Sequence, residues 1–158
     1  MLMTTIALET IEILNDLIEI NNDRIQAYKL ALKDLEGGDQ ALSPLFLKMI
    51  NESQKNNEAL AREVDILGGE AESGTSLEGK IYRAWMNVRT TFAGKTRLHI
   101  LQNCEINEDA TLEAYRTAIQ CGELSGYLKE MISDQLDGLL HSHDNIKKVR
   151  DFNRPYRP

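Results

Sequence analysis

The chain has 158 residues, of which 42% are hydrophobic and 27% charged, with a formal net charge of −7. That is enough for one domain with a real core, and the negative balance disfavours nucleic acid and anionic membrane surfaces as partners, since both need a positive footprint. No apolar run approaches the roughly 20 residues of a membrane span, and the N-terminal stretch, interrupted by Glu9 and Glu12, lacks the basic start and cleavage site of a secretory signal.

Proline occurs only at Pro44, Pro155 and Pro158, so little interrupts long helices. Apolar residues recur at helical spacing in four long segments. The first, about 5–36, carries Leu14, Leu17, Ile18, Ile25, Tyr28, Leu32 and Leu35 on one stripe and ends at Gly37-Gly38. Ser43-Pro44 opens the second, with Ser43 as the expected N-cap and Pro44 at the first helical position. Its stripe is Phe46, Met49, Leu60, Val64 and Leu67, and Gly68-Gly69 stops it. Next comes a shorter segment, about 76–93, that starts at a capping box, Thr75-x-x-Glu78. Leu77, Ile81, Trp85, Val88 and Phe92 form its stripe and Gly94 ends it. The third long segment, about 96–121, shows Leu98, Leu101, Leu112, Tyr115 and Ile119 before Gly122. The fourth, about 124–152, shows Leu128, Met131, Ile132, Ile146 and Val149.

The short segment can span roughly 25 Å and carry the chain back along the bundle. The second and third long helices then run parallel, so the expected architecture is an all-α, ferritin-like four-helix bundle with a long crossover. A single domain over residues 1–152 and a tail over 153–158 are expected. The basic residues Lys147, Lys148, Arg150, Arg154 and Arg157 suit the negative pole at the end of the last helix. Cys104 and Cys121 share one predicted helix at a separation of roughly 25 Å, too far for a disulfide. Reduced thiols accord with a cytoplasmic location.

Two stretches repeat in order. Ile25–Leu32 (IQAYKLAL) matches Leu112–Ile119 (LEAYRTAI), and Leu42–Phe46 followed by Met49–Glu52 matches Leu124–Leu128 followed by Met131–Asp134. The pattern reads as a duplicated helical hairpin.

Each long stripe loses its apolar character near the middle. The interruptions are Asn21, then Ser53, Asn56 and Asn57, then Cys104, Glu105 and Glu108, and finally Gln135, Gly138, His141 and Ser142. Facing helices of a bundle can converge carboxylates and imidazoles at such a level to hold a di-iron centre. That site needs a Glu from each of two helices and Glu-x-x-His from each of the others. Here Asn21 stands where Glu108 stands in the repeat, and Glu52-x-x-Lys55 and Asp134-x-x-Asp137 lack the histidine. The expectation is a hydrogen-bonded polar core, with at most one weakly held metal ion at Glu105, Glu108 and His141. His141 and His143 stand at i and i+2 and so face different ways on a helix. No nucleotide-binding loop, nucleophile elbow or Cys-x-x-Cys occurs.

Ser73–Gly79 (SGTSLEG), Arg83–Arg89 (RAWMNVR), Leu14–Glu19 (LNDLIE) and Glu108–Arg116 (EDATLEAYR) resemble stretches of a small bacterial ferritin-like four-helix-bundle family with no assigned biochemical function. The resemblance runs from about residue 10 to 150, implies the ferritin-like fold, and carries metal binding over to Glu108 alone. The function expected is that of a non-enzymatic bundle, a binding or assembly module, with a homo-oligomer open and no cofactor expected. The alternative is a metal-dependent oxidoreductase or ferroxidase of the di-iron carboxylate type with a degraded site.

Overall fold

A computed structural model describes residues 4–35, 39–71, 79–89, 96–122 and 124–152. The described residues form α1 (Thr5–Asp34), α2 (Leu42–Ile66), α3 (Lys80–Val88), α4 (Arg97–Gln120) and α5 (Gly126–Phe152). The long helices start and stop for local reasons. Thr4 Oγ1 accepts from Ala7 N at 3.0 Å and Thr96 Oγ1 from His99 N at 3.2 Å, satisfying amides that the first turns leave open. At the end of α2, Gly68 adopts φ +85°, a left-handed conformation that favours glycine, while Gly69 N reaches Val64 O at 3.0 Å.

The start of α2 differs from the expected Ser43 cap. The helix begins at Leu42, and Asp39 Oδ1 accepts from both Ala41 N (3.0 Å) and Leu42 N (2.9 Å). A carboxylate outside the helix reaches these two amides, so Ser43 falls inside the first turn, where its hydroxyl accepts from Asp39 N.

Contacts between the long helices set their directions. Residues 21 and 24 of α1 meet 56 and 53 of α2 and, equally, 115 and 108 of α4. As α1 advances both partners run backwards, so α2 and α4 are each antiparallel to α1 and parallel to one another. Joining parallel helices requires a long crossover, and α3 lies within it. The apolar core falls into two clusters. One gathers Leu14, Leu17, Leu60, Trp85, Leu112 and Ile132, the other Phe46, Met49, Leu101, Cys104 and Ile146.

The crossover helix is shorter than its periodicity suggests. It covers nine residues, against the expected span of about 17 at helical spacing. Ile81 and Trp85 are buried, but Val88 is 58% exposed. Leu98, expected on a core stripe, is 47% exposed, while Leu101 of the same stripe is fully buried and Ile100, outside that stripe, joins it. A helix this short is unstable alone and is held by burial and by a cap from another helix. Asp16 on α1 accepts from Gly79 N (2.8 Å) and Tyr82 N (3.1 Å). Several sequence expectations lie outside the described residues: Gly37-Gly38, the Thr75-x-x-Glu78 capping box, Leu77, Phe92, Gly94 and the tail at 153–158.

Candidate functional site

Two polar tiers separate the two apolar clusters, and each draws on all four long helices. The lower tier is a closed ring. Asn21 Nδ2 donates to Tyr115 Oη (2.9 Å), Tyr115 Oη to Gln135 Oε1 (2.8 Å), Gln135 Nε2 to Asn56 O (3.3 Å), and Asn56 Nδ2 back to Asn21 Oδ1 (3.4 Å). All four residues are buried, and the ring satisfies polar atoms that would otherwise be expensive to bury. Burial raises the Tyr115 phenol above its ordinary range, so it stays a neutral donor.

The upper tier centres on Arg24. Its guanidinium makes a two-point contact with Glu108, through Nε to Oε2 at 2.8 Å and Nη2 to Oε1 at 2.7 Å. Nη1 donates to Ser53 Oγ at 2.8 Å and lies 2.9 Å from Glu52 Oε1. Ser142 on α5 closes the tier by donating to Glu52 at 3.0 Å. Arg24 is 4% exposed and Glu108 2%. Burial works against the charge on Arg24, but Glu108 and then Glu52 more than offset it, and the guanidinium is held above its already high range. Arg24 is therefore a permanent cation between two carboxylates in the middle of the bundle.

Beside this pair lie Tyr28 and Cys104, both buried. Burial first, and the negative charge of Glu108 next, push both the phenol and the thiol well up. The Tyr28 hydroxyl has Glu108 and Cys104 as neighbours but, among the described residues, meets no partner in good hydrogen-bond geometry.

The residues singled out in the sequence go to three different places. Glu108 is in the upper tier. Glu105 is turned towards α5, where it pairs with Arg150. His141 is exposed on α5. Among the described residues no three His, Cys, Asp or Glu side chains stand close enough to hold a metal ion, so Glu105, Glu108 and His141 are not brought together. Asn21, Ser53, Asn56, Gln135 and Ser142 do converge, with Gly138 beside them, where the Cβ of an alanine would lie 3.2 Å from Glu52 Oε2.

Arg24 escaped the sequence reading, although a signal was present. Leu17, Asn21, Arg24 and Tyr28 follow each other at spacings of four, three and four, which places the arginine on the buried stripe. Glu52 stands beside the apolar stripe of α2, and a long arginine is needed to draw it in.

A di-iron centre at this level requires four carboxylates and two imidazoles. The tiers supply two carboxylates, Glu52 and Glu108, no imidazole, and a guanidinium lying between the two. The donor set does not fit such a centre.

The helical layout and its central polar tiers define a ferritin-like bundle. The chain is similar to a solved structure described as a ferritin-like, diiron-carboxylate protein from Bacillus anthracis str. Ames, at 17% identity over 96% of this chain and 100% of that one, with a TM-score of 0.66. At that identity the likeness speaks for the fold alone. The sequence profile of a domain of unknown function, DUF2383, matches residues 9–121, and the chain belongs to that family. No curated protein matches it. Among the described residues, no helix is long and apolar enough to cross a membrane.

Proposed function

We propose that this chain is a metal-independent binding or assembly module, a ferritin-like bundle in which an arginine does the electrostatic work that a metal ion does in di-iron relatives. The observation that carries this reading is the buried Arg24 guanidinium, bound two-fold to Glu108 and paired with Glu52. A divalent ion would have to share that space with a fixed positive charge, and its two carboxylates are already satisfied. On this reading the chain holds at most one weakly bound metal ion, and Glu105, Glu108 and His141 do not form its site. The arrangement of two tyrosines supports descent from a duplicated hairpin: Tyr115 bonds Asn21, and Tyr28 neighbours Glu108, the position matching Asn21 in the repeat. A cytoplasmic location belongs to the same proposal.

The rival reading, a metal-dependent oxidoreductase with a degraded site, draws its support from the description of the solved relative. Elemental mass spectrometry on protein purified without chelators separates the two. The proposal expects iron, manganese and zinc well below one per chain and a melting temperature indifferent to a chelator. Two metal ions per chain, retained through gel filtration, would overturn it.

A further inference from the structure

A cleft of about 340 Å³ opens on the flank of the bundle between α1, α3 and α4 and reaches inwards to the Arg24–Glu108 pair. Its volume lies at the lower end of the range for small-molecule sites, about 300–1,000 Å³. Tyr82 and Trp85 of α3 form an aromatic wall, with ring centroids 5.7 Å apart. Four charged side chains line the cleft: Asp23, Arg24, Arg89 and Glu108. Three of them are engaged within the protein. Asp23 accepts from Tyr82 Oη at 2.5 Å, and Arg24 and Glu108 hold one another.

Arg89 is different. It stands at the C-terminal end of α3 with its guanidinium over the Trp85 ring, 5.4 Å from the centroid. Among the described residues it forms no ion pair, and its Nε has no hydrogen-bond partner. A guanidinium prefers a planar oxyanion that accepts two parallel hydrogen bonds. An aromatic wall prefers a flat apolar body. Together they specify one kind of ligand.

We propose that this cleft binds a small aromatic carboxylate, its ring system against Tyr82 and Trp85 and its carboxylate on Arg89. The ligand class deepens the binding-module reading and rests on it. Since Arg24 is satisfied by Glu108 and Glu52, the carboxylate is recognised at the mouth of the cleft and the polar tiers stay intact. The orientation leaves the Trp85 Nε1 bond to Thr111, 3.2 Å long, undisturbed.

Trp85 is the one tryptophan of the chain, so its fluorescence reports on this wall directly. The probe is biphenyl-4-carboxylate, with biphenyl-4-carboxamide as the uncharged control. Both are titrated by fluorescence and by calorimetry into protein whose metal content has been measured. The expected result is saturable binding of the carboxylate, at least tenfold weaker binding of the amide, and a matching tenfold loss in Arg89→Gln. Arg89→Lys should recover part of it. Melting curves of the unliganded variants should lie close to that of the parent, because the contact Arg89 gives up is its position over the Trp85 ring. Equal binding of carboxylate and amide, undiminished binding in Arg89→Gln, or no saturation at all would overturn the proposal. Metal found in the sample would instead count against the metal-independent reading and leave the Arg89 comparison valid, so the two failures are distinguishable.

Discussion

Replacing Arg24 by methionine tests the centre of the structural argument. The substitution keeps an unbranched apolar stem of similar length but removes the guanidinium, leaving Glu108 at 2% exposure without its cation and Ser53 without its donor. Breaking a buried pair from one side costs about 3–5 kcal/mol, because the remaining charge is stranded in a poorly solvated site. For a chain of this size, about 2–4 °C of melting temperature accompanies each kcal/mol. Arg24→Met should therefore melt about 6–20 °C below the parent. The double variant Arg24→Met/Glu108→Met removes both charges, and replacement of a buried pair by apolar residues is often neutral or stabilising. It should regain most of the loss. Thermal and urea unfolding followed by circular dichroism, arranged as a double-mutant cycle, gives the coupling directly. A single variant less than about 1 kcal/mol below the parent, or a double variant showing the sum of two large losses, would refute the picture of a desolvated pair.

The crossover helix supports further expectations. Trp85→Ala removes a side chain that is 4% exposed and should cost about 3–5 kcal/mol, with an unchanged elution volume in gel filtration because the ring packs almost wholly within its own chain, open only where it lines the cleft. Gly79→Ala would place a Cβ 2.4 Å from Asp16 Oδ2 and 2.6 Å from Glu12 Cγ. The capping carboxylate would have to move, so a loss of about 1–3 kcal/mol is expected, with faster hydrogen exchange at the Tyr82 amide. Asp16 itself is pushed up by burial, with the backbone bonds from Tyr82 and Gly79 only partly opposing this. The folded protein therefore binds the Asp16 proton at a pH where the unfolded chain has already lost it. Its contribution to stability is greatest below the ordinary carboxylate range and falls as pH rises through the raised value. Urea midpoints of the parent measured downwards from neutral pH should show this gain, and Asp16→Asn should lack it.

The helices, their order and the parallel placement of α2 and α4 can be read from one dimension, because amphipathic spacing and glycine stops are local properties of the chain. The central polar level is legible for the same reason: Asn21, Ser53, Asn56, Glu108 and Gln135 each interrupt an apolar stripe. What those residues do there is settled only in three dimensions. Spacing along a helix shows which way a side chain faces, but it does not show how far the side chain reaches or which group on another helix it meets. Glu105 and Glu108 lie three residues apart, yet one pairs with Arg150 near the flank and the other closes on Arg24 in the core. Asp39 displaces Ser43 as the α2 cap by reaching two amides from outside the helix, and Asp16 caps α3 from 63 residues away in sequence. Arg24 shows the limit most clearly. An arginine on an apolar stripe can snorkel to solvent or be buried whole, and two carboxylates from α2 and α4, arriving at the same level, decide that it is buried.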